Sequence, residues 1–471
     1  MKAGFYASKW YLALTMALVG FSLTACSGSI SPRQPSPSAI PDEWLQQTAE
    51  KNQIENEWLK QFNDQQLDNF INEALASNYS LAEQKARVEE SRQGIIVSGA
   101  ERMPALSLGL DASRSKTIVQ SGAAEISENY QLGVDISWEL DIWGKLNDTQ
   151  RQAHLEFQAQ QAQLVVLKQQ LAANIATQWY NLLAADQLTR LFQHRLVNLQ
   201  QDLDIINNGY QQGINSALDV YLARTTVAQE QAQIAQQQQL LLEAKTSLQL
   251  LLGRRPGQPL PIDKKLPVLQ SSIPTGLPSQ LISRRPDLQK AWLELLAIDL
   301  ELAVAHKNRF PSIKLTASSS DSADTLRELL NGSSLGWSLL GGLTQPLFEG
   351  GRLKAREKQA KSRVKQAEKR YLDQVYRAFA EVENAINQQN SLIDRYQAFL
   401  TAEKDSQAAQ ELSSDQYQHG LVTYTTVLGA QRRSFDAQST VLELRNQLLQ
   451  NRIALYLALG GNFLQRTTGE L

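Results

Sequence analysis

The chain has 471 residues, 42% of them hydrophobic, and its 46 lysines and arginines nearly balance its 48 aspartates and glutamates. This balance excludes the charge surplus of a typical nucleic-acid-binding protein, so no nucleic acid is expected as a partner. The chain has one cysteine, Cys26, which excludes an intramolecular disulfide.

The N-terminus is typical of an exported protein. A basic start and an apolar run over 11–23 predict a signal peptide of residues 1–25. The sequence Leu-Thr-Ala-Cys that ends at Cys26 resembles a bacterial lipobox, in which the cysteine becomes the first mature residue and carries lipid. Cys26 is therefore the predicted lipidation site, and this covalent lipid is the only cofactor expected. The alternative is an ordinary secretory signal that ends near a cysteine.

The mature chain contains an internal sequence repeat. Arg102-Met103-Pro104 matches Arg309-Phe310-Pro311 at an offset of 207 residues, and Tyr210-Gln211-Gln212-Gly213 matches Tyr417-Gln418-His419-Gly420 at the same offset. A constant spacing predicts a duplicated structural unit. The predicted segments are a lipidated tether rich in serine and proline (26–57), a first repeat (58–265), a second repeat (266–462) and a C-terminal tail (463–471).

Each repeat contains a segment with a period of two residues, over 104–142 and 311–348. Such alternation is common in half-buried strands of soluble sheets, which is the first alternative. Three features favour a membrane sheet instead: strands of about ten or more residues, aromatic residues near the strand ends, and acidic residues opposite the apolar face. Those acids, Asp135, Glu139 and Asp141, are tolerable in a wet barrel lumen but costly in a dry core.

Four membrane strands cannot form a closed barrel. An open sheet edge leaves backbone groups unpaired in hydrocarbon, and the smallest transmembrane barrels have about eight strands. The hairpins therefore predict a barrel that is shared between subunits.

A long proline-free helix follows each hairpin, over 144–213 and 351–420. Seventy helical residues extend for about 100 Å, far beyond a compact domain. Shorter return helices are predicted over 216–252 and 423–459. The predicted fold class is mainly α with a transmembrane β part, and a coiled coil without membrane strands is the alternative.

These features together resemble the TolC-like outer-membrane efflux proteins, and most closely their lipoprotein branch. The resemblance is carried by the lipobox, the duplicated hairpins, the segments 138–146, 284–287 and 345–353, and both Tyr-x-x-Gly turns. It implies a homotrimer whose twelve strands form one outer-membrane barrel, four from each subunit, above a helical periplasmic tunnel. It also implies a periplasmic adaptor and an inner-membrane pump as partners, outer-membrane lipid around the barrel, and a Gram-negative outer-membrane location.

The resemblance places a periplasmic gate at the two helical turns. Gly213 and Gly420 are suited to the positive φ at which a helix stops. The predicted gate residues are Tyr210, Gly213, Asp219, Val220, Tyr417, Gly420, Tyr424, Thr426 and Val427. A hydrogen bond from Tyr417 to Asp219 is the predicted latch, and the alternative is that Asp219 caps the return helix. Because Val422 stands where some members carry a basic residue, closure is expected to depend on packing and neutral hydrogen bonds.

The sequence offers little catalytic chemistry. Its four histidines lack metal-ligand spacing, and it has no phosphate-binding glycine loop or nucleophile motif. The predicted function is therefore a passive outer-membrane exit duct for drugs or other small toxic solutes, with no enzymatic activity and no metal site. The alternatives are a duct for type I protein secretion, a lipid-anchored periplasmic scaffold without a pore and, remotely, an envelope-bound enzyme.

Overall fold

The secondary structure repeats with the same offset of 207 residues. The structure is a computed structural model that describes residues 44, 58–118, 124–262, 264–268, 278–329 and 334–461. The first repeat contains α1 (Gln65–Ser77), α2 (Tyr79–Ala100), β1 (Ala105–Ile118), β2 (Ala124–Leu140), α3 (Lys145–Gln211) and α4 (Ala217–Leu251). The second contains α5 (Pro278–Arg284), α6 (Pro286–Lys307), β3 (Ser312–Ala323), α7 (Leu326–Leu329), β4 (Gly336–Thr344), α8 (Arg352–Gln418) and α9 (Tyr424–Ala458).

The helices α3 and α8 each have 67 residues. At 1.5 Å per residue each helix is about 100 Å long. The return helices α4 and α9 each have 35 residues. The observed ends of these four helices lie within two residues of the predicted ends.

The two hairpins form one antiparallel sheet in the order β1-β2-β3-β4. The register aligns the apolar residues on one face, with Leu108 opposite Val134 and Trp138 opposite Leu315. Many apolar side chains of the sheet are exposed, among them Leu108 (72%) and Leu339 (73%). An exposed apolar sheet face of this kind marks a surface that is covered by another molecule or by lipid.

Among the described residues, no helix combines the length and the hydropathy that are needed to cross a membrane.

The sequence repeats are not the compact units of the fold. One unit contains the sheet and adjoining helix ends, from Ser98–Gln152 and Leu295–Glu368. The other contains the described residues of Pro37–Val97, Ala153–Glu294 and Lys369–Leu471. Each unit takes equivalent parts of both repeats, because strands pair with strands and helices pack on helices across the duplication.

In the unit that contains the sheet, α6 contacts both long helices. Lys307 of α6 donates a hydrogen bond to Asp148 of α3 at 2.6 Å, and His306 lies 2.9 Å from Glu357 of α8. The pKa of Glu357 is held below its usual range, because hydrogen bonds from His306 and Arg309 outweigh the effect of burial. An ion pair to α3 and a hydrogen bond to α8 therefore hold α6 between its two neighbours.

The helical unit has an aromatic core. Trp179 and Tyr180 of α3 are fully buried, and the indole N–H of Trp179 donates to the carboxylate of Asp64 at 2.7 Å. Asp64 also caps α1 and binds Lys264 at 2.7 Å. Within the predicted tether the structure describes only Trp44, whose buried ring packs against another ring of this unit at 6.2 Å. At least this part of the tether is therefore packed on the helices.

The predicted signal peptide with Cys26 and the predicted tail lie outside the described residues.

Candidate functional site: the two helical tips

Both turns between a long helix and its return helix are Schellman motifs. At the first turn, Gly213 N–H donates to the carbonyl of Tyr210 at 3.0 Å, and Ile214 N–H donates to that of Gly209 at 2.8 Å. The second turn has the same two bonds, including one from Gly420 N–H to Tyr417 at 2.9 Å. Gly213 and Gly420 each have φ +74°, so the predicted left-handed conformation is confirmed at both tips.

The carboxylate of Asp219 caps α4. It accepts hydrogen bonds from the backbone N–H of Ser216 at 3.0 Å and from the Ser216 hydroxyl at 2.7 Å. The backbone N–H of Asp219 donates in return to the Ser216 hydroxyl at 3.3 Å, which completes a capping box. The predicted latch from Tyr417 to Asp219 is wrong for this conformation, because the carboxylate of Asp219 caps α4 and the hydroxyl of Tyr417 donates to another residue, Asn215.

A different hydrogen bond joins the two tips. The hydroxyl of Tyr417 donates to the side-chain oxygen of Asn215 at 3.1 Å. The side-chain nitrogen of Asn215 donates to the carbonyl of Ile206 at 3.3 Å, which orients the amide. A Cβ at Gly209 would lie 2.5 Å from that nitrogen, so a glycine at this position leaves space for the Asn215 amide. The link between the repeats is thus a neutral hydrogen bond, as the absence of a basic residue at 422 predicts.

An apolar cluster lies beneath this bond. Val220 of α4 and Val427 of α9 are buried together with Ile206 and Tyr424. The rings of Tyr417 and Tyr424 are 5.8 Å apart and tilted by 53°. Packing between the repeats therefore accompanies the neutral hydrogen bond at the tips, and their role in closure stays a prediction.

A half-open cavity of about 730 Å³ lies between the tips. Its lining includes Asp202 of α3, Asn215, Tyr417 and Tyr424. Asp202 accepts a hydrogen bond from Gln431 of α9 at 2.6 Å. Burial raises the pKa of Asp202, against the opposite effect of this bond, and burial also raises the pKa of Tyr424, with Asp202 adding to the shift.

The remaining predicted tip residues are at the surface. The side chain of Tyr210 is 50% exposed. Thr426 is also exposed, and its hydroxyl lies 3.2 Å from that of Thr423 at the start of α9. Neither residue contacts the link between Asn215 and Tyr417, so the structure brings together Val220, Tyr417, Tyr424 and Val427 but not these two.

The three acids predicted for the barrel lumen have different surroundings. Asp135 is exposed on β2, opposite serines of both neighbouring strands. Glu139 forms an ion pair with Lys145 at 2.5 Å. Asp141 lies beyond the end of β2 and accepts hydrogen bonds from the backbone N–H groups of Leu146 and Asn147, at 3.0 and 2.8 Å. Only Asp135 is thus left without a neutralising or capping contact in the described part of the chain, and a lumen role for all three stays a prediction.

In the described ranges, no group of three or more histidine, cysteine, aspartate or glutamate side chains could hold a metal ion.

Asn215, Asp202 and Gln431 are site residues that the sequence did not identify. Their partners lie 202 and 229 residues away, so no local pattern marks them. The capping box was readable, because Ser216 stands three residues before Asp219 at the start of a helix.

Comparison with known proteins gives a consistent result. The family model for outer membrane efflux proteins matches residues 70–254 and again residues 277–461, once in each repeat. The cation efflux system protein CusC of Escherichia coli O6:H1 is 30% identical over 95% of this chain and 98% of its own. The pyoverdine export outer membrane protein OpmQ of Pseudomonas putida is 30% identical over 96% of this chain and 97% of its own.

Solved structures of channels share the fold. A crystal structure of CusC has a TM-score of 0.81 and 29% identity, and covers 92% of this chain and 100% of its own. The open-state MtrE outer membrane channel of Neisseria gonorrhoeae has a TM-score of 0.81 and 25% identity, and covers 92% of this chain and 98% of its own. The predicted mainly helical fold with a four-stranded sheet, the efflux function and the outer-membrane location are confirmed. This chain belongs to the outer membrane efflux protein family.

Proposed function

We propose that this protein is the outer-membrane exit duct of a tripartite efflux pump, with small solutes as its cargo. The sheet carries the argument. It has an exposed apolar face, and its outer strands β1 and β4 each leave one edge unpaired among the residues that the structure describes. Such edges are not tolerated in hydrocarbon, so other copies of the chain must pair with them.

A trimer accounts for these edges and for a pore. Two copies would supply about eight strands, and a barrel of that size is filled by its own side chains. Three copies supply twelve, which agrees with the predicted barrel and leaves space for solutes. The helices of three subunits would then surround a continuous passage. The duct itself needs no energy source, because an inner-membrane pump, joined by a periplasmic adaptor, drives the transport.

The cargo class rests on the relatives. CusC is named for cation efflux and OpmQ for pyoverdine export, while the toluene efflux protein TtgI of Pseudomonas putida is 29% identical over 85% of this chain. Similar identities accompany different cargoes, so we infer that the duct admits small solutes generally and that the pump selects among them. All three cargoes are small, which favours efflux of small solutes over protein secretion.

The N-terminus supplies an anchor. We propose that Cys26 is lipidated and holds the mature chain at the outer membrane, in addition to the barrel. One lipid-modified cysteine adds membrane affinity without the need for further contacts. Labelling with radioactive palmitate should mark the wild type and leave Cys26→Ser unmarked.

Two measurements test the duct. The purified protein should run as a heat-modifiable trimer on a gel and should conduct ions in a planar bilayer, whereas a scaffold without a pore would not conduct. A strain that lacks this protein and its sister channels should become sensitive to dyes, detergents, hydrophobic drugs or a transition metal, and wild-type expression should restore resistance. Loss of an exported protein from the medium, with unchanged sensitivity, would instead establish secretion.

A further inference from the structure

The cavity between the tips has the size and lining of a small-molecule site. Its volume is about 730 Å³, within the range of pockets that take drug-sized ligands. Its apolar walls include Ile205, Ile206, Ile214 and Val427. A few polar groups reach the same space, and their arrangement indicates the kind of ligand.

One of these groups is a buried hydroxyl without a partner. Tyr424 is 4% exposed, and its hydroxyl makes no hydrogen bond among the residues that the structure describes. Tyr424 itself belongs to the lining of the cavity. Because buried polar groups are nearly always paired in folded proteins, an orphan that lines a cavity points to a ligand.

A negative charge lies near this hydroxyl. The carboxylate of Asp202 lines the cavity and accepts a hydrogen bond only from the neutral Gln431, with no cation paired to it in the described structure. Asp202 and Tyr424 both line the cavity, and the negative charge of Asp202 adds to the effect of burial in raising the pKa of Tyr424. The carboxylate of Asp202 can therefore accept a further hydrogen bond, and a donor that carries a positive charge would suit it best.

The duplicated fold does not require this chemistry. At the offset of 207 residues, Asp202 corresponds to Ala409 and Tyr424 to Ala217. At each of these two positions, one repeat has the polar residue and the other repeat has an alanine. Both tips fold into the same turn without these groups, so their presence calls for another explanation.

We propose that this cavity binds a small organic ammonium ion with an apolar body. The ammonium N–H groups would donate to the Asp202 carboxylate and to the Tyr424 hydroxyl oxygen, and the tyrosine rings would face the charge. The apolar body would lie against Ile206 and Val427. The proposal rests on the proposed function only for its location at the tunnel mouth; the binding itself does not depend on transport.

The bound ion would also join the two repeats, because Asp202 belongs to the first and Tyr424 to the second. It would then stabilise the conformation in which the tips are packed together. Amphipathic amines are one class of solute that an efflux duct encounters, so cargo of this kind would act on the conformation of the duct.

A matched series of probes tests the ligand class. Naphthylmethylammonium, naphthylmethanol and naphthylacetate share an aromatic body and differ in charge, and equilibrium dialysis against the purified full-length protein measures their binding. We expect the ammonium to bind at least about ten-fold more tightly than the alcohol, and the carboxylate to bind most weakly. Equal affinity for all three compounds would overturn the proposal.

Variants test the residues. Asp202→Asn and Tyr424→Phe should each weaken binding of naphthylmethylammonium by about ten-fold or more. Asp204→Asn is the control, because Asp204 makes the same charge change two residues away on an exposed position of α3. An equal loss in Asp204→Asn would attribute the binding to general surface charge, and undiminished binding in both test variants would exclude this cavity. Tyr424→Phe keeps the buried ring, so it remains informative if Asp202→Asn fails to fold.

The proposal and the duct function can fail separately. Wild type that restores resistance but does not bind the ammonium overturns the cavity proposal and leaves the duct. Wild type that binds the ammonium but neither conducts ions nor restores resistance overturns the duct and leaves the cavity.

Discussion

Removal of one hydroxyl group should loosen the tips of this protein. In Tyr417→Phe, the ring keeps its packing against Tyr424, but the hydrogen bond to Asn215 is lost. A neutral hydrogen bond contributes about 1 kcal/mol net. In the proposed trimer the bond occurs three times, so the closed conformation should lose about 3 kcal/mol if all tips separate on opening. This corresponds to a shift of about a hundred-fold in the equilibrium between closed and open states.

Single-channel recording in planar bilayers measures this shift. At a fixed voltage and salt concentration, Tyr417→Phe should raise the closed-state leak and the fraction of time spent open. Tyr210→Phe is the matched control, because Tyr210 is the equivalent residue of the first repeat, is half exposed, and forms no side-chain hydrogen bond in the described ranges. If the two variants behave alike, the hydroxyl of Tyr417 does not hold the tips and the reasoning is refuted.

Asp219→Ala separates the observed link from the latch that the sequence predicted. The substitution removes the capping box of α4, which should cost about 1 kcal/mol of local helix stability. Hydrogen exchange should therefore increase in the first turn of α4, while Tyr417 keeps its bond to Asn215. A leak in Asp219→Ala that exceeds the leak in Tyr417→Phe would show that Asp219 controls closure after all.

Three further substitutions test one packing contact and two ion pairs. Gly209→Ala should raise the leak as Tyr417→Phe does, because the new Cβ displaces the amide that accepts the bond, whereas Gly94→Ala has open space and should not. Glu230→Gln should lower the free energy of unfolding by about 2 kcal/mol in a thermal melt, because buried Glu230 no longer supplies a negative charge to the partly buried guanidinium of Arg195. Asp287 is partly buried, yet the hydrogen-bonded charge of Arg285 holds its pKa below the usual 3.8. Its stabilising effect should be present above about pH 4 and be lost as the pH falls through the folded pKa; melts from acid to neutral pH should show that Asp287→Asn removes this acid-side loss.

The sequence predicted the helices and turns well because their signals are local. Proline-free stretches mark α3 and α8, and the glycines at 213 and 420 mark their ends, where the chain must adopt a positive φ. The apolar alternation likewise indicated that one face of the sheet is apolar, and many side chains of that face are exposed. Each of these features depends on neighbours within a few positions in the chain.

The contacts between the tips could not be predicted in the same way. Asn215 and Tyr417 meet across 202 residues of chain, and the geometry of the intervening helices decides which acceptor the hydroxyl reaches. The resemblance therefore identified Tyr417 correctly as a residue of the site but assigned the wrong partner. The boundaries of the compact units could not be predicted from the sequence for the same reason, since each unit combines parts of both repeats.

The duplication also separates what the fold requires from what the tip adds. The glycines that end the helices occur in equivalent pairs with equal φ, so both repeats need them for folding. The polar groups of the cavity have no such counterparts, because alanine and valine stand at the positions equivalent to Asp202, Tyr424 and Asn215. In the proposed trimer, six tips would surround the tunnel mouth. Grooves lined by these polar residues would alternate with grooves lined by the equivalent alanines and valine. The mouth would therefore have three polar links between Asn215 and Tyr417 instead of six, each within one subunit.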